Sequence, residues 1–331
     1  MFENKKTQFT VNTLATTVLL ASISLPAFAR DQIQIVGSST VYPFSTLVAE
    51  RFGSTGKYKT PVIESTGTGG GMKLFCKGIG TQHPDISNAS RAIKPSELKN
   101  CKKNGVGEII EVKFGNDGIA FSSSIDAQKF DFTRKQLWTA MAEHGPKPTY
   151  WNEIDATFPR TKIAILTPPP TSGTRDAWNA KVMKKGCPAD VKKISKKACQ
   201  KMREDGAVIE AGENDALIVQ KLEANNSLFG IFGFGYLENN SDRIQAAKIE
   251  GVEISLETIQ SYEYPIARPL FFYVKKAHMD IIPGVYEYLN SFASERAISD
   301  DGYLIDAGLV PLTEEQRIAL RVKAKNKISL K

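Results

Sequence analysis

Three times along this chain a short apolar strand runs through glycine and hydroxyl residues straight into a helical pattern. Residues 33–36 lead through GSST (37–40) into VYPFSTLVAERF, where Val41, Phe44, Leu47, Val48 and Phe52 fall at helical spacing and Pro43 is tolerated in the first turn. Residues 60–65 lead through the turn TGTGGG (66–71) into the helix MKLFCKGIG, and KIAIL (162–166) leads through TPPPTSGTR into DAWNA. Strands that alternate with helices in this way argue for an α/β fold with a largely parallel sheet. The rest of the chain fits the same scheme. A strand ends in DISNA (85–89) before a helix from Pro95, and two strands (109–114 and 119–124) flank a turn GNDG (115–118). Helices are predicted over 133–145, over 215–226 and from Gly284, with strands at 227–237 and 269–276.

The chemistry of the three junctions is alike. Prolines 168–170 end a strand, Ser172 or Thr174 can cap the next helix, and Gly173 lets backbone approach closely. A helix N-terminus presents unpaired N–H groups and partial positive charge, so Arg175 beside it makes an anion site. SNASR (87–91) adds a fourth small polar turn with its own arginine. In open α/β sheets ligands bind beyond the carboxyl ends of the strands, where these turns lie. No G-x-x-x-x-G-K-[ST] occurs, and the glycines at 69–71 lack the spacing of a dinucleotide fingerprint. A free tetrahedral oxyanion fits better than a nucleotide.

Residues 11–28 carry no charge and Ala27-Phe28-Ala29 forms an A-x-A site, so 1–29 is expected to be a secretory signal peptide and Arg30 the first mature residue. No cysteine stands near that site to carry a lipid, so an exported soluble protein is expected. About 300 mature residues exceed one ordinary core and suit two domains. The formal charge of +7 is spread along the chain, which favours anionic ligands without suggesting nucleic acid. All four cysteines lie in the mature part, an even count that points to disulfides. Of three pairings, Cys76 with Cys101 and Cys187 with Cys199 enclose the most compact segments. The histidines His83, His144 and His278 sit in unrelated contexts, so no metal or other cofactor is expected. The lysine-rich stretch 184–203 is expected to be a solvated hairpin pinned by the second disulfide.

Together VGSSTVYPF (36–44), ESTGTGGGMK (64–73), DISNASRAIK (85–94), PPPTSGTRDAW (168–178) and GENDALI (212–218) resemble the periplasmic phosphate-binding proteins of ABC transporters, the PstS family. The resemblance spans essentially the whole mature chain in order. It implies a two-lobed periplasmic-binding-protein fold of type II, each lobe a central mixed sheet flanked by helices, with two hinge strands. Lobe I would comprise 30–118 and 266–331, lobe II 119–265, with hinges near Ile119–Phe121 and Arg268–Leu270. It further implies capture of inorganic phosphate in the cleft, delivery to an inner-membrane ABC permease, a periplasmic location and a monomer without catalytic activity.

Carried across by motif, Ser39, Thr40 and Val41 supply hydroxyl and main-chain donors, Thr68 a further hydroxyl, and Ser172, Gly173 and Thr174 the donors of the second lobe. Arg175 is the expected charge partner, since a guanidinium pairs fork-like with phosphate oxygens. Two departures stand out. Arg91 occupies the place where many members carry an Asp that accepts the proton of hydrogen phosphate, and the arginine follows S-G-T where some members place it ahead. Asp117 is then the candidate proton acceptor. Arg91 in that place leaves sulfate, phosphonate or arsenate as alternative ligands, and a secreted phosphatase using Ser39 or Ser172 as the class that would need an activating base or metal.

Overall fold

The computed structural model describes residues 1–2, 30–195, 197–212 and 215–330; from residue 3 on, the expected leader lies outside them. Strands β1 (Gln34–Gly37), β2 (Val62–Ser65), β3 (Ile86–Ala89) and β4 (Ile109–Ser124) are followed by β5 (Asp131–Phe132), β6 (Ile165–Thr167) and β7 (Val208–Glu210). Then come β8 (Phe229–Gly233), β9 (Ile244–Ala246), β10 (Lys248–Ile249) and β11 (Ala267–Lys275). Nine of them form one mixed sheet in the order β2-β1-β3-β11-β4-β8-β6-β7, with β9 also on β4. The flanks are parallel (β1 with β2 and β3, β6 with β7 and β8), and the centre is the antiparallel pair β4 and β11. Helices α1 (Tyr42–Gly53), α2 (Gly67–Phe75), α3 (Pro95–Lys103), α4 (Arg134–Met141) and α5 (Gly173–Trp178) pack against this sheet. This is the expected α/β architecture, and among the described residues no helix is long and apolar enough to cross a membrane.

Burial divides into separate cores. One cluster draws its residues from Ile119 to Ala267, with Val310 added; its centre is aromatic, Phe121 stacking on Phe229 at 4.7 Å. A second is built from Ile33, Ile35, Val48, Phe114, Phe272 and Phe292, and a smaller third surrounds Phe75 and Tyr273. Both β4 and β11 contribute residues to the first two clusters and so join these two bodies. The C-terminal stretch adds a third contact. Val310 exchanges backbone hydrogen bonds with Asn116 at 2.8 and 3.1 Å and packs into the first-named cluster, while Leu309 and Leu312 pack into the second.

Three local expectations are corrected. GNDG does not turn: β4 is one 16-residue strand. Its glycines make room for neighbours, since a Cβ on Gly115 would lie 2.4 Å from Leu309 Cδ1 and one on Gly118 2.3 Å from Ile259 Cδ1. TGTGGG is likewise no separate turn but the opening of α2. There Gly71 lets the helix settle on β1, because a Cβ would stand 2.4 Å from Gly37 Cα. The strand expected to 237 ends at Gly233, and Phe234–Glu238 is helical.

Disulfides join Cys76 to Cys101 and Cys187 to Cys199, the pairing the sequence suggested. Each closes a short loop in the unfolded chain, so serine at either pair should lower unfolding free energy by about 3 kcal/mol, more for the longer loop. Urea titration of the two double variants measures this. A second expectation concerns Lys275, buried at the end of β11 with Nζ donating to Gly78 O at 2.6 Å. Burial pulls its ammonium down to about 7, against the attraction of Asp85 and with the help of Arg30. In the unfolded chain the lysine keeps its proton to higher pH, so the unfolded state binds more protons above pH 7. Stability should therefore rise from about pH 7 towards pH 10, and Lys275→Met should remove that rise in denaturant titrations across the interval.

Candidate functional site

The carboxyl ends of β1, β3 and β6 bring three of the sequence motifs to one place. Helices α1 and α2 begin there without a side-chain cap, at Val41 and Thr66, so their first-turn N–H groups have no partner within the helix. Helix α5 begins at Ser172, whose Oγ accepts from Thr174 N at 3.2 Å. The α1 and α5 turns belong to different bodies, and they touch. Thr40 Oγ1 donates to Gly173 O at 3.1 Å, and a Cβ on Gly173 would meet Thr40 Cα at 2.3 Å. Only glycine permits that approach.

Arg268 holds this junction. It enters from β11, next to a register shift against β4 between Leu270 and Phe271, and is 4% exposed. Its Nη2 donates to Gly173 O at 2.9 Å and to Thr40 Oγ1, and its Nε donates to Asp117 Oδ2 at 3.0 Å. Asp176 lies 3.5 Å from Nη1. One guanidinium thus binds both turns and the opposite crossing strand. The sequence reading placed a hinge at Arg268 but gave it no part in binding. The signal was present: a lone arginine in ARPLFFYVK must find partners if the strand is buried.

Two clefts open on either side of the Thr40–Gly173 contact and share Ser39, Ser65 and Thr171. The larger, about 890 Å³, is lined by Ser39, Thr68, Ser90 and the α2 turn, and by Arg91, Lys94, Lys181, Lys184 and Arg268 with Asp176 as the one carboxylate. Thr68 Oγ1 accepts from Ser90 N at 3.1 Å and lies 3.2 Å from Ser90 Oγ. The smaller cleft, about 460 Å³, is lined by Thr40, Asp117, Ser172, Gly173 and Thr174. Lys181 has its ammonium shifted down by burial first and then by Arg268, Lys185 and Arg134, against the pull of Asp117.

Ser39, Thr40, Thr68, Asp117 and Ser172 to Thr174 are therefore gathered at the junction, and Val41 is buried as the α1 cap. Arg91 reaches the cleft wall, but its charge is committed: Nη2 and Nη1 donate to the two Glu97 oxygens at 2.7 and 2.9 Å. Burial would raise the Glu97 carboxyl, and the hydrogen bonds from Arg91 bring it below its ordinary value. Arg175 is corrected. Its Nη1 donates to Thr167 Oγ1 and to Pro168 O, both at 2.9 Å, and it lines a different pocket with Asn179, Arg203 and Glu210. The charge assigned to Arg175 is supplied at the junction by Arg268. Asn88 was also overlooked: it is buried at the end of β3, its main-chain O accepts from Ser38 N, and its Oδ1 has no partner among the described residues.

Comparison with known proteins identifies the family. Residues 24–296 match the PBP superfamily domain. The protein SphX of Synechococcus elongatus is 31% identical over 255 residues, 75% of this chain and 69% of its own length. The phosphate-binding protein PstS of Staphylococcus saprophyticus is 28% identical, covering 84% of this chain and 80% of its own. A crystal structure of a possible phosphate binding protein from Planctomyces limnophilus superposes with a TM-score of 0.74 at 25% identity, over 90% of this chain and 99% of that one. The chain therefore belongs to the PBP superfamily as a protein of the PstS type.

Proposed function

We propose that this protein is the substrate receptor of an ABC transporter, capturing inorganic phosphate at the junction of its two bodies. The observation that carries the reading is Arg268, buried and bonded at once to the α1 turn, the α5 turn and Asp117. A ligand seated against it meets hydroxyl and main-chain donors from both bodies. Ser39, Thr40, Thr68 and the Ser172–Thr174 turn supply them, with the first-turn N–H groups of α2. Donors on both walls make closure depend on the ligand, and a permease can read the closed form. The boundaries 30–118 with 266–331, and 119–265, describe the two moving bodies. Export to the periplasm as a monomer completes the reading.

Selectivity follows from acceptors. Sulfate brings no proton to the site, whereas hydrogen phosphate brings one that needs an acceptor. Asp117, on the wall of the smaller cleft and held through Oδ2 by Arg268, is the acceptor available for it. Arg91 does not tip the site towards sulfate, because Glu97 neutralises it. A hydrolase would need an activated nucleophile. Among the described residues no group of three or more His, Cys, Asp or Glu could hold a metal, and His278 is occupied with buried Asp85 at 2.6 Å.

Phosphate-stripped protein should gain about 2.7 kcal/mol of stability in phosphate at 100 times Kd. Sulfate should not compete in calorimetric titrations between pH 5 and 8. Arg268→Ala should lose affinity by about a hundredfold or more, while Arg175→Ala keeps it; retention in the first variant or loss in the second would overturn the assignment. Gly173→Ala should break the Thr40–Gly173 contact and weaken phosphate binding in calorimetric titration, while the far-ultraviolet circular dichroism of the free protein stays that of the parent.

A further inference from the structure

The larger cleft exceeds the needs of one phosphate. Five heavy atoms fill on the order of 100 Å³, a few water volumes, against about 890 Å³. The bodies touch beside it through Thr40 and Gly173, which bounds the cleft on that side. Its charge is also unbalanced in one particular region. Arg91 and Arg268 have carboxylate partners in Glu97 and Asp117. Lys94, Lys181 and Lys184 line the same cleft, and among the described residues no carboxylate lies within ion-pair distance of any of them.

These three lysines form the outer part of the cleft. Arg268 is buried, Lys181 is half-buried, and Lys94 and Lys184 are exposed. Lys181 and Lys184 are three residues apart on the helical run that continues α5 through the wide turn Asn179–Met183, so they are neighbours on its surface. Lys94 faces them from the start of α3 in the other body. Like charges lining one cleft, one of them partly out of water, favour an anion between them. Burial first, and then Arg268, lower the Lys181 ammonium against the pull of Asp117.

We propose that the outer cleft is a second phosphoryl subsite, and that this protein takes condensed inorganic phosphate, with pyrophosphate the smallest member. One phosphoryl group sits at Arg268 and the α1, α2 and α5 turns, and the next is held among Lys181, Lys184 and Lys94. The inference rests on the reading of the inner cleft as a phosphate site. A phosphate monoester would fill the space but put a neutral group against three unpartnered ammonium groups, so the lysines favour the condensed anion.

The test is isothermal titration of phosphate-stripped full chain, without divalent metal, with phosphate, pyrophosphate and glycerol 3-phosphate as separate probes. Each is run on the parent and on the Lys181→Gln/Lys184→Gln double variant, whose changes fall on half-buried and exposed positions. Pyrophosphate is expected to displace phosphate and to bind at least as tightly. The double variant should weaken pyrophosphate by about tenfold or more and phosphate by less than about threefold. Failure of pyrophosphate to displace bound phosphate would overturn the inference. So would equal weakening of both ligands in the double variant, or glycerol 3-phosphate binding as tightly as pyrophosphate. A parent protein that does not bind phosphate at all would instead overturn the reading of the inner cleft, and this inference with it.

Discussion

Everything in this molecule turns on the antiparallel pairing of β4 with β11 and the ion pair laid across it. Residues 109–113 of β4 pair with 271–275 of β11, and residues 115–118 with 267–270 beyond the register shift. Past Gly118, β4 goes on to pair with β8 and β9 in the other body. Two long strands are thus the main covalent and hydrogen-bonded links between separately packed cores. Arg268 and Asp117 face each other at the crossing, 3.0 Å apart and largely out of water. A buried pair of this kind adds little net stability against an apolar alternative, but it severely penalises any arrangement that separates it. Geometry is what it secures: the spare N–H groups of Arg268 are held on the Thr40 and Gly173 turns.

Small residues matter here for the space they leave. Gly71 lets α2 approach β1, Gly115 and Gly118 let Leu309 and Ile259 cross a strand, and Gly173 lets one body touch the other. None of these four has the positive φ that usually explains glycine, so each is a packing requirement and not a turn signal. This is why GNDG misled a reading by composition. The same residues that mark a tight turn also mark a strand over which something large must pass, and local sequence does not distinguish them.

The misplacement of Arg175 has an equally simple cause. Thr174 and Arg175 are adjacent in α5, and adjacent residues on a helix point about 100° apart. A side chain one step beyond the anion-facing turn therefore leaves in another direction, here towards Thr167 and Pro168. Adjacency to S-G-T made Arg175 look like the charge partner, while the arginine that bonds this turn stands 93 positions later on a strand.

Much was legible without coordinates. Alternation of strand and helix, glycine-hydroxyl junctions and an even cysteine count pointed to the fold class, to disulfides and to an anionic ligand. Those properties depend on local periodicity and on chemistry carried by contiguous residues. Only the tertiary structure decided that Arg268 bonds both turns, that GNDG is the crossing strand, that Val310 returns to pack in the far core, and that three cleft lysines have no ion-pair partner among the described residues. Each depends on which side chains meet across more than a hundred residues of chain, or on which way a side chain leaves its backbone. Such encounters are set by packing the whole, because a buried charge or a bare glycine acquires its meaning from whatever is brought against it.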